Sequence, residues 1–145
     1  MGNLSSTGYT NDNATPPVNH DPSEGGGRVR MYYDTYLQGA ADATIGDVIL
    51  MKNLPGNARI LPGGLLSWGA GKAGETLSVG ITGTADKFVG ATAAEVASTV
   101  ALNAHLASGG TYKTPAAGVG VIVTSAVAAI KAAQRITVHI PYVID

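Results

Sequence analysis

The stretch that most resembles a chemical site is glycine-rich: Gly69-Ala-Gly-Lys-Ala-Gly-Glu-Thr76. Glycine, lysine and a hydroxyl are the parts of a phosphate-binding loop, in which backbone N–H groups cradle the phosphate and the lysine pairs with it. That motif also needs a glycine five positions before Gly-Lys, a Ser or Thr after the lysine, and a helix behind it. Here Leu66 and Ala73 take those two positions, and a strand-like pattern follows. We therefore predict a glycine-rich hairpin loop and no nucleotide site.

Other residue types that catalyse reactions or bind metals are scattered along the chain. The three histidines, His20, His105 and His139, lack the spacing of metal ligands, and cysteine is absent. Asp42 and Asp47 lie near a predicted turn, where aspartate commonly bonds to the backbone. No serine lies in a G-x-S-x-G elbow. We predict no catalytic residue, no metal site and no cofactor, and therefore no enzyme.

Aromatic residues offer a different kind of site. Tyr32, Tyr33 and Tyr36 cluster in one segment, and Trp68 borders the glycine-rich loop. An exposed aromatic ring can stack on a sugar, because its face is apolar and its edge is polar. Tyrosine is also enriched where proteins meet one another. Carbohydrate binding and packing against the core or another subunit both remain open from the residues alone.

Composition narrows the range of partners. The chain has 145 residues, of which 45% are hydrophobic and only 13% charged, and its formal net charge is -1. This length suits one domain with a real core. A near-neutral chain has no long-range field that attracts nucleic acid, and no apolar run approaches the ~20 residues of a membrane-spanning helix. We expect neither nucleic acid nor membrane as a partner, and a low-charge surface that suits contacts with proteins.

The elements that must position these residues are strands. Residues 28–37 alternate, with Met31 and Tyr33 on one face and Tyr32 and Tyr36 on the other, which is the period of a half-buried strand. Further strand-like segments lie at 46–51, 58–61, 65–68, 76–82, 87–89, 118–124 and 134–145. In 76–82 we expect Leu77, Val79 and Ile81 to face inward, and in 134–145 one face carries an apolar stripe of Ile136, Val138, Ile140, Tyr142 and Ile144. Many short strands joined by glycine-rich turns predict an all-β sandwich or barrel. In the last strand Pro141 cannot donate to a ladder, which predicts an edge strand or a bulge.

Two alanine-rich segments are ambiguous. For residues 90–108 we predict an irregular crossing loop with one helical turn, although residues 98–103 also alternate like a strand. Residues 125–133 have helical propensity, but their spacing before the last strand also suits an extended corner.

The first 27 residues form a separate region. Residues 1–27 contain three prolines, are rich in Ser, Thr, Asn and Gly, and have few large aliphatic residues, chiefly Leu4 and Val18. Such a segment cannot bury enough apolar surface to fold by itself. We predict an extended N-terminal arm at 1–27 that lies along a partner protein, another copy of the chain, or both. Residues 28–145 then form the sandwich domain.

Three segments resemble small structural proteins of tailed bacteriophages. They are Gly74-Glu-Thr-Leu-Ser-Val-Gly-Ile-Thr82, Ala85-Asp-Lys-Phe-Val-Gly-Ala91 and Gln134-Arg-Ile-Thr-Val-His-Ile-Pro-Tyr-Val-Ile-Asp145. The family is that of capsid cement, or decoration, proteins. The resemblance spans residues 28–145 and implies a jelly-roll-like β-sandwich of about eight short strands, with no catalytic residues.

The resemblance also implies where the protein acts and what it contacts. Such a protein lies on the outer capsid surface of the virion, associates with itself as a homodimer or homotrimer, and bridges neighbouring capsomers of the major capsid protein. A carbohydrate- or receptor-binding sandwich module is the competing interpretation. The side chains that we expect at partner contacts are Leu4, Tyr9, Val18, Tyr32, Tyr36, Trp68 and Tyr142.

Overall fold

The computed structural model describes residues 2–6, 9–10, 13–16, 29–107 and 112–144. The described residues form ten strands and one short helix, α1. The strands are β1 (Asn3–Ser5), β2 (Arg30–Leu37), β3 (Val48–Leu54), β4 (Ala58–Ile60), β5 (Leu65–Trp68), β6 (Thr76–Ile81), β7 (Thr84–Ala93), β8 (Ser98–Ala101), β9 (Val119–Ala126) and β10 (Arg135–Ile144), and α1 is Ala104–Ala107.

The strands form two sheets with nested pairing. Sheet I has the order β1-β3-β9-β6-β7, and sheet II has the order β2-β10-β5-β8, with β4 also paired to β10. The nested pairs are β2 with β10, β3 with β9, β5 with β8 and β6 with β7, and the pairs β5 with β10 and β6 with β9 join them side by side within each sheet. One long hairpin folded over in this way gives the eight-stranded, two-sheet jelly roll. The prediction of an all-β, jelly-roll-like sandwich is confirmed.

The core lies between the two sheets and follows the alternation of the sequence. In β6 the predicted inward residues Leu77 and Val79 are fully buried. In β10 the predicted stripe supplies Ile136, Val138 and Ile140 to the core. Other large, fully buried side chains come from both sheets and the connections between them: Tyr32, Ile49, Met51, Leu54, Ile60, Leu66, Phe88, Leu102 and Ile130.

The predicted edge position of the last strand is wrong. β10 lies inside sheet II, between β2 on one side and β5 and β4 on the other. The Pro141 carbonyl accepts a hydrogen bond from the Leu61 N–H at 2.9 Å, so the proline nitrogen also faces that side. There β5 pairs with His139 and β4 pairs with Tyr142, and the 61–64 connection leaves a gap in the ladder. A proline fits a central strand at this point because its nitrogen faces the gap, where the ladder requires no donor.

Three other segments differ from their predicted form. The strand predicted at 87–89 extends over Thr84–Ala93, and the loop predicted at 90–108 contains β8, while the helical turn of that segment lies at Ala104–Ala107. The connection at 69–75 is not a hairpin, because β5 belongs to sheet II and β6 to sheet I. The segment at 125–133 turns between β9 and β10 without a helix, with left-handed backbone at Val127 and Ala133.

Part of the predicted arm belongs to the fold. β1 extends sheet I by pairing in parallel with β3, in the register Asn3 with Val48, Leu4 with Ile49 and Ser5 with Leu50. The side chain of Leu4 packs against the core from this position. The domain boundary near residue 27 stays a prediction.

Candidate interaction surfaces

The glycine-rich loop is a connection between sheets whose backbone groups are already in use. The Gly71 N–H donates to the carbonyls of Ala94 and Glu95 at 3.2 and 3.0 Å, and the Lys72 N–H donates to Glu75 Oε2 at 3.0 Å. The Lys72 ammonium forms an ion pair with Asp42. N–H groups that already donate within the protein are not available to bind a phosphate. The prediction that this loop is not a nucleotide site agrees with its geometry.

Packing around Glu75 requires a glycine at position 71 of the loop. The side chain of Glu75 is 0% exposed, and burial is the main reason that its pKa is raised above the ordinary value. A Cβ at position 71 would lie 2.0 Å from Glu75 Oε2 and 2.5 Å from the Ala94 carbonyl oxygen, so only glycine fits. Gly74 has φ +78, a left-handed turn that glycine adopts without strain. Close packing and turn geometry account for these glycines.

His105 and His139, the histidines in the described part of the chain, each pack beside an aromatic ring. His105 of α1 is buried with its ring edge-on to Phe88, at a centroid separation of 5.4 Å. Burial, with Lys87 nearby, lowers the pKa of His105. His139 lies on the outside of sheet II beside Tyr33, and His20 falls outside the described residues. Among the described residues, no three His, Cys, Asp or Glu side chains group together as a metal site would require. No helix in the described part of the chain is long and apolar enough to cross a membrane.

The aromatic residues predicted at partner contacts mostly point into the core. Tyr32 is 2% exposed and its hydroxyl donates to the Lys52 carbonyl at 2.6 Å; Trp68 is 6% exposed and its Nε1–H donates to the Val96 carbonyl at 2.9 Å. Tyr142 is also buried, and Tyr36 is half-buried with its hydroxyl on Gln38 Oε1 at 2.6 Å. Stacking on a sugar requires an exposed ring face, which Tyr32 and Trp68 lack.

The residues predicted from the arm lie apart from these rings. Leu4 is half-buried in β1, and Tyr9 is half-buried beside Leu50 and Ile122 on the outside of sheet I. Val18 falls outside the described residues. The structure therefore brings Leu4 and Tyr9 to sheet I and places the other described members of the set in sheet II.

Two buried carboxylates hold the ends of β1. Asp47, 3% exposed, accepts the Gly2 N–H on Oδ1 and the Thr44 N–H on Oδ2, both at 2.9 Å. The Gly2 hydrogen bond is the main cause of the lowered pKa of Asp47. Asp34, 5% exposed, accepts the Ser6 hydroxyl at 2.5 Å and the Lys52 N–H at 2.7 Å, both on Oδ2. The sequence predicted a turn role for Asp47, which the Thr44 bond fits, but no role for Asp34.

The outer face of sheet II carries exposed apolar side chains. Tyr33 is 51% exposed, and Met31, Leu37 and Leu65 are exposed beside it. One row across the four strands, in register, is Tyr33, His139, Leu65 and Ala101. The next row consists of hydroxyl residues: Thr35, Thr137, Ser67 and Thr99. Two of their hydroxyl pairs, one at each side of the sheet, are 3.1 Å apart. Neither row contains a carboxylate.

Sequence reasoning divided β2 correctly into two faces but did not single out the face that is exposed. The alternation of the sequence already placed Met31 and Tyr33 on the same face of β2. Alternation alone cannot say which face is inside when both contain apolar residues. The exposed face belongs to Met31, Tyr33 and Leu37, and it is the candidate interaction surface of sheet II.

Comparison with solved structures shows chains with a similar fold in two phage capsids. No protein-family model matches this chain, and no curated protein matches it. A chain of the capsid of Ralstonia phage GP4 matches with a TM-score of 0.72 and 20% identity, over 99% of this chain and 98% of that chain. A chain of the capsid asymmetric unit of cyanophage Pam1 matches with a TM-score of 0.65 and 20% identity, over 92% of this chain and 97% of that chain. The jelly roll described above is shared with chains of two phage capsids.

Proposed function

We propose that this chain is a structural virion protein: a capsid cement, or decoration, protein that binds the outer capsid surface and bridges neighbouring capsomers. The observation that carries the proposal is the end-to-end match to two phage capsid chains, which covers 98% and 97% of those chains. The likeness is therefore to whole small chains of about this length, and not to one domain of a much larger protein. A small separate chain of a capsid suits the role of an accessory that stabilises the shell.

The surface chemistry supports the same role. A chain with 13% charged residues needs little desolvation of charge when it lies against other proteins. A capsid also repeats one contact many times, so that a modest affinity per contact becomes tight overall through effective concentration. The polar groups of the glycine-rich loop bond within the chain, which leaves that loop without the donors of a catalytic site. No cofactor is required for such a role.

We assign the outer face of sheet II to self-association into a dimer or trimer. Interfaces between identical subunits are more apolar than ordinary surface and carry few charges. The row of Tyr33, His139 and Leu65 has this character, and the neighbouring hydroxyl row supplies hydrogen bonds without buried charge. Contact with the major capsid protein is then left to other surfaces of the oligomer, among them the N-terminal arm.

The test is the mass of the purified chain by light scattering, alone and then mixed with undecorated shells. We expect an oligomer that co-sediments with shells and raises the temperature at which they open. The double variant Met31→Asp/Tyr33→Asp should be monomeric, since two carboxylates would be buried against another copy. Val96→Asp, at an exposed apolar side chain in the connection between β7 and β8, is the control and should stay oligomeric. A monomer that ignores shells would contradict the cement role.

A further inference from the structure

We infer that the cleft along β3, filled by β1 in this structure, is a strand-exchange site that accepts residues 2–6 of a second copy of this chain. The inference rests on the proposed function in one respect: a shell holds copies side by side. The partner is thus identical in sequence to the segment it replaces, and every contact described for β1 is available to it.

The cleft recognises its strand at both ends and along its backbone. At one end Asp47 Oδ1 accepts the Gly2 N–H at 2.9 Å; at the other, Asp34 Oδ2 accepts the Ser6 hydroxyl at 2.5 Å. The Ser6 N–H donates to the Leu50 carbonyl at 2.7 Å, and Leu4 packs against the core between these points. Both carboxylates are more than nine-tenths buried, so an empty cleft would leave them short of donors.

An empty cleft would also expose a strand edge. β3 pairs with β9 on its other side, and β1 covers the edge that remains. An uncovered edge presents a row of unpaired N–H and C=O groups that invites pairing with another chain. The cleft therefore favours being filled, whether the strand comes from its own chain or from another. Exchange among two or three copies satisfies all clefts when the exchange closes into a ring.

The chain between β1 and β2 is much longer than pairing within one chain requires. Ser6 touches Asp34, and Arg30 at the start of β2 is four residues, or about 13 Å, from Asp34 along the strand. Twenty-three residues separate Ser6 from Arg30, and the thirteen from 17 to 29, which follow the turn at 13–16, would alone span up to about 45 Å when extended. Because the contacts are the same in both arrangements, effective concentration decides between them. Crowding of copies on a shell shifts the balance toward exchange.

Cysteine pairs distinguish the two arrangements, since the chain has no cysteine of its own. Asn3 and Val48 lie opposite each other on β1 and β3, at the roughly 4.8 Å spacing of neighbouring strands, which is within disulfide range. Asn3→Cys and Val48→Cys chains are mixed, bound to shells, oxidised and run on a non-reducing gel. Full random exchange would cross-link about one cleft in four into covalent dimers.

Controls separate exchange from incidental oxidation and from failure of the proposed function. Asn3→Cys mixed with Val100→Cys, whose cysteine lies on sheet II, should give no specific dimer. The double variant Asn3→Cys/Val48→Cys should form covalent dimers or trimers on shells, because the exchange closes into a ring. If shell-bound mixtures give no dimers while the double variant gives only an internally linked monomer, the inference is overturned. Binding to shells is scored separately by sedimentation. If no chain binds, the cement role fails, and the same gels on concentrated free protein decide the exchange: dimers support it, and internally linked monomer alone overturns it.

Discussion

Replacing Glu75 by glutamine tests the account of the glycine-rich loop. Glu75 is fully buried, its Oε2 accepts the Lys72 N–H at 3.0 Å, and its Oε1 has no hydrogen-bond partner among the described residues. Burial raises its pKa above the ordinary value of 4.5, while the Lys72 and Gln134 groups lower it by less. A glutamine has the same shape, can accept the same bond, and carries no charge to desolvate.

The sign of the pH dependence follows from the raised pKa. The folded state prefers the protonated carboxyl, so the stability that Glu75 contributes is complete below pH 4.5 and is lost as the pH rises through the folded-state pKa. For one group the loss is at most about 1.4 kcal/mol per pH unit in that interval, and less where solvent screens the charge. We expect Glu75→Gln to unfold at a higher temperature than the wild type at pH 7, by about 2–4 °C per kcal/mol recovered.

The assay is reversible thermal or denaturant unfolding at unit steps from pH 4 to pH 8. The difference in unfolding free energy between the variant and the wild type isolates Glu75, because other groups titrate alike in both. Glu95→Gln makes the same change from carboxylate to amide at an exposed position near the same loop, and serves as the control. A Glu75→Gln variant that is less stable at every pH, with an unchanged profile, would show that the buried carboxylate stabilises the fold as a charged acceptor, and the reasoning would be refuted.

Two further predictions concern the loop and the arm. Gly71→Ala should lower the unfolding free energy by about 2 kcal/mol or more, because its Cβ would overlap Glu75 Oε2 and the Ala94 carbonyl. Gly90→Ala in β7 is the control and should cost less than about 1 kcal/mol, because no atom lies within 4 Å of its new Cβ. Equal melting temperatures for the two variants would contradict the packing account. Deletion of residues 1–27 should leave a sandwich that is folded by circular dichroism but no longer saturates shells in sedimentation. The truncated chain should also aggregate more readily through the uncovered β3 edge, as measured by light scattering. Undiminished binding to shells would contradict the role of the arm.

Much of the fold could be predicted because it depends on local patterns. Alternation in β6 and β10 identified the core face of both strands, since a sheet with one buried side specifies its register strongly. The short strands and glycine-rich turns indicated a sandwich or barrel without any knowledge of pairing. The jelly-roll order itself came from resemblance, because nested pairing between residues a hundred positions apart, such as Thr35 with Thr137, has no local signature.

The features that sequence reasoning missed depend on long-range partners. Asp34 looks like a polar residue on the outside of a strand, yet it is buried because the Lys52 N–H and the Ser6 hydroxyl donate to it. Pro141 looks like an edge residue, yet it is central because the partner strand changes opposite it. Donors from elsewhere in the fold remove the cost of burying Asp34, and the gap between β5 and β4 removes the cost of a proline in a central strand.

The hydrogen bonds and the burial of individual side chains indicate which surface is available to a partner. The most enzyme-like residues in the sequence are Lys72, Glu75 and the neighbouring Gly71 and Gly74, and they bond or pack within the protein. Met31 and Tyr33 do the opposite, since they expose large apolar surface at the β2 edge of sheet II, and burial of such surface is favourable whenever a fitting partner is present. A polar side chain whose hydrogen bonds are made within the protein needs no ligand. An exposed apolar row, in contrast, gains free energy only when a partner buries it. The exposed apolar row therefore favours a protein that works by contact with other proteins.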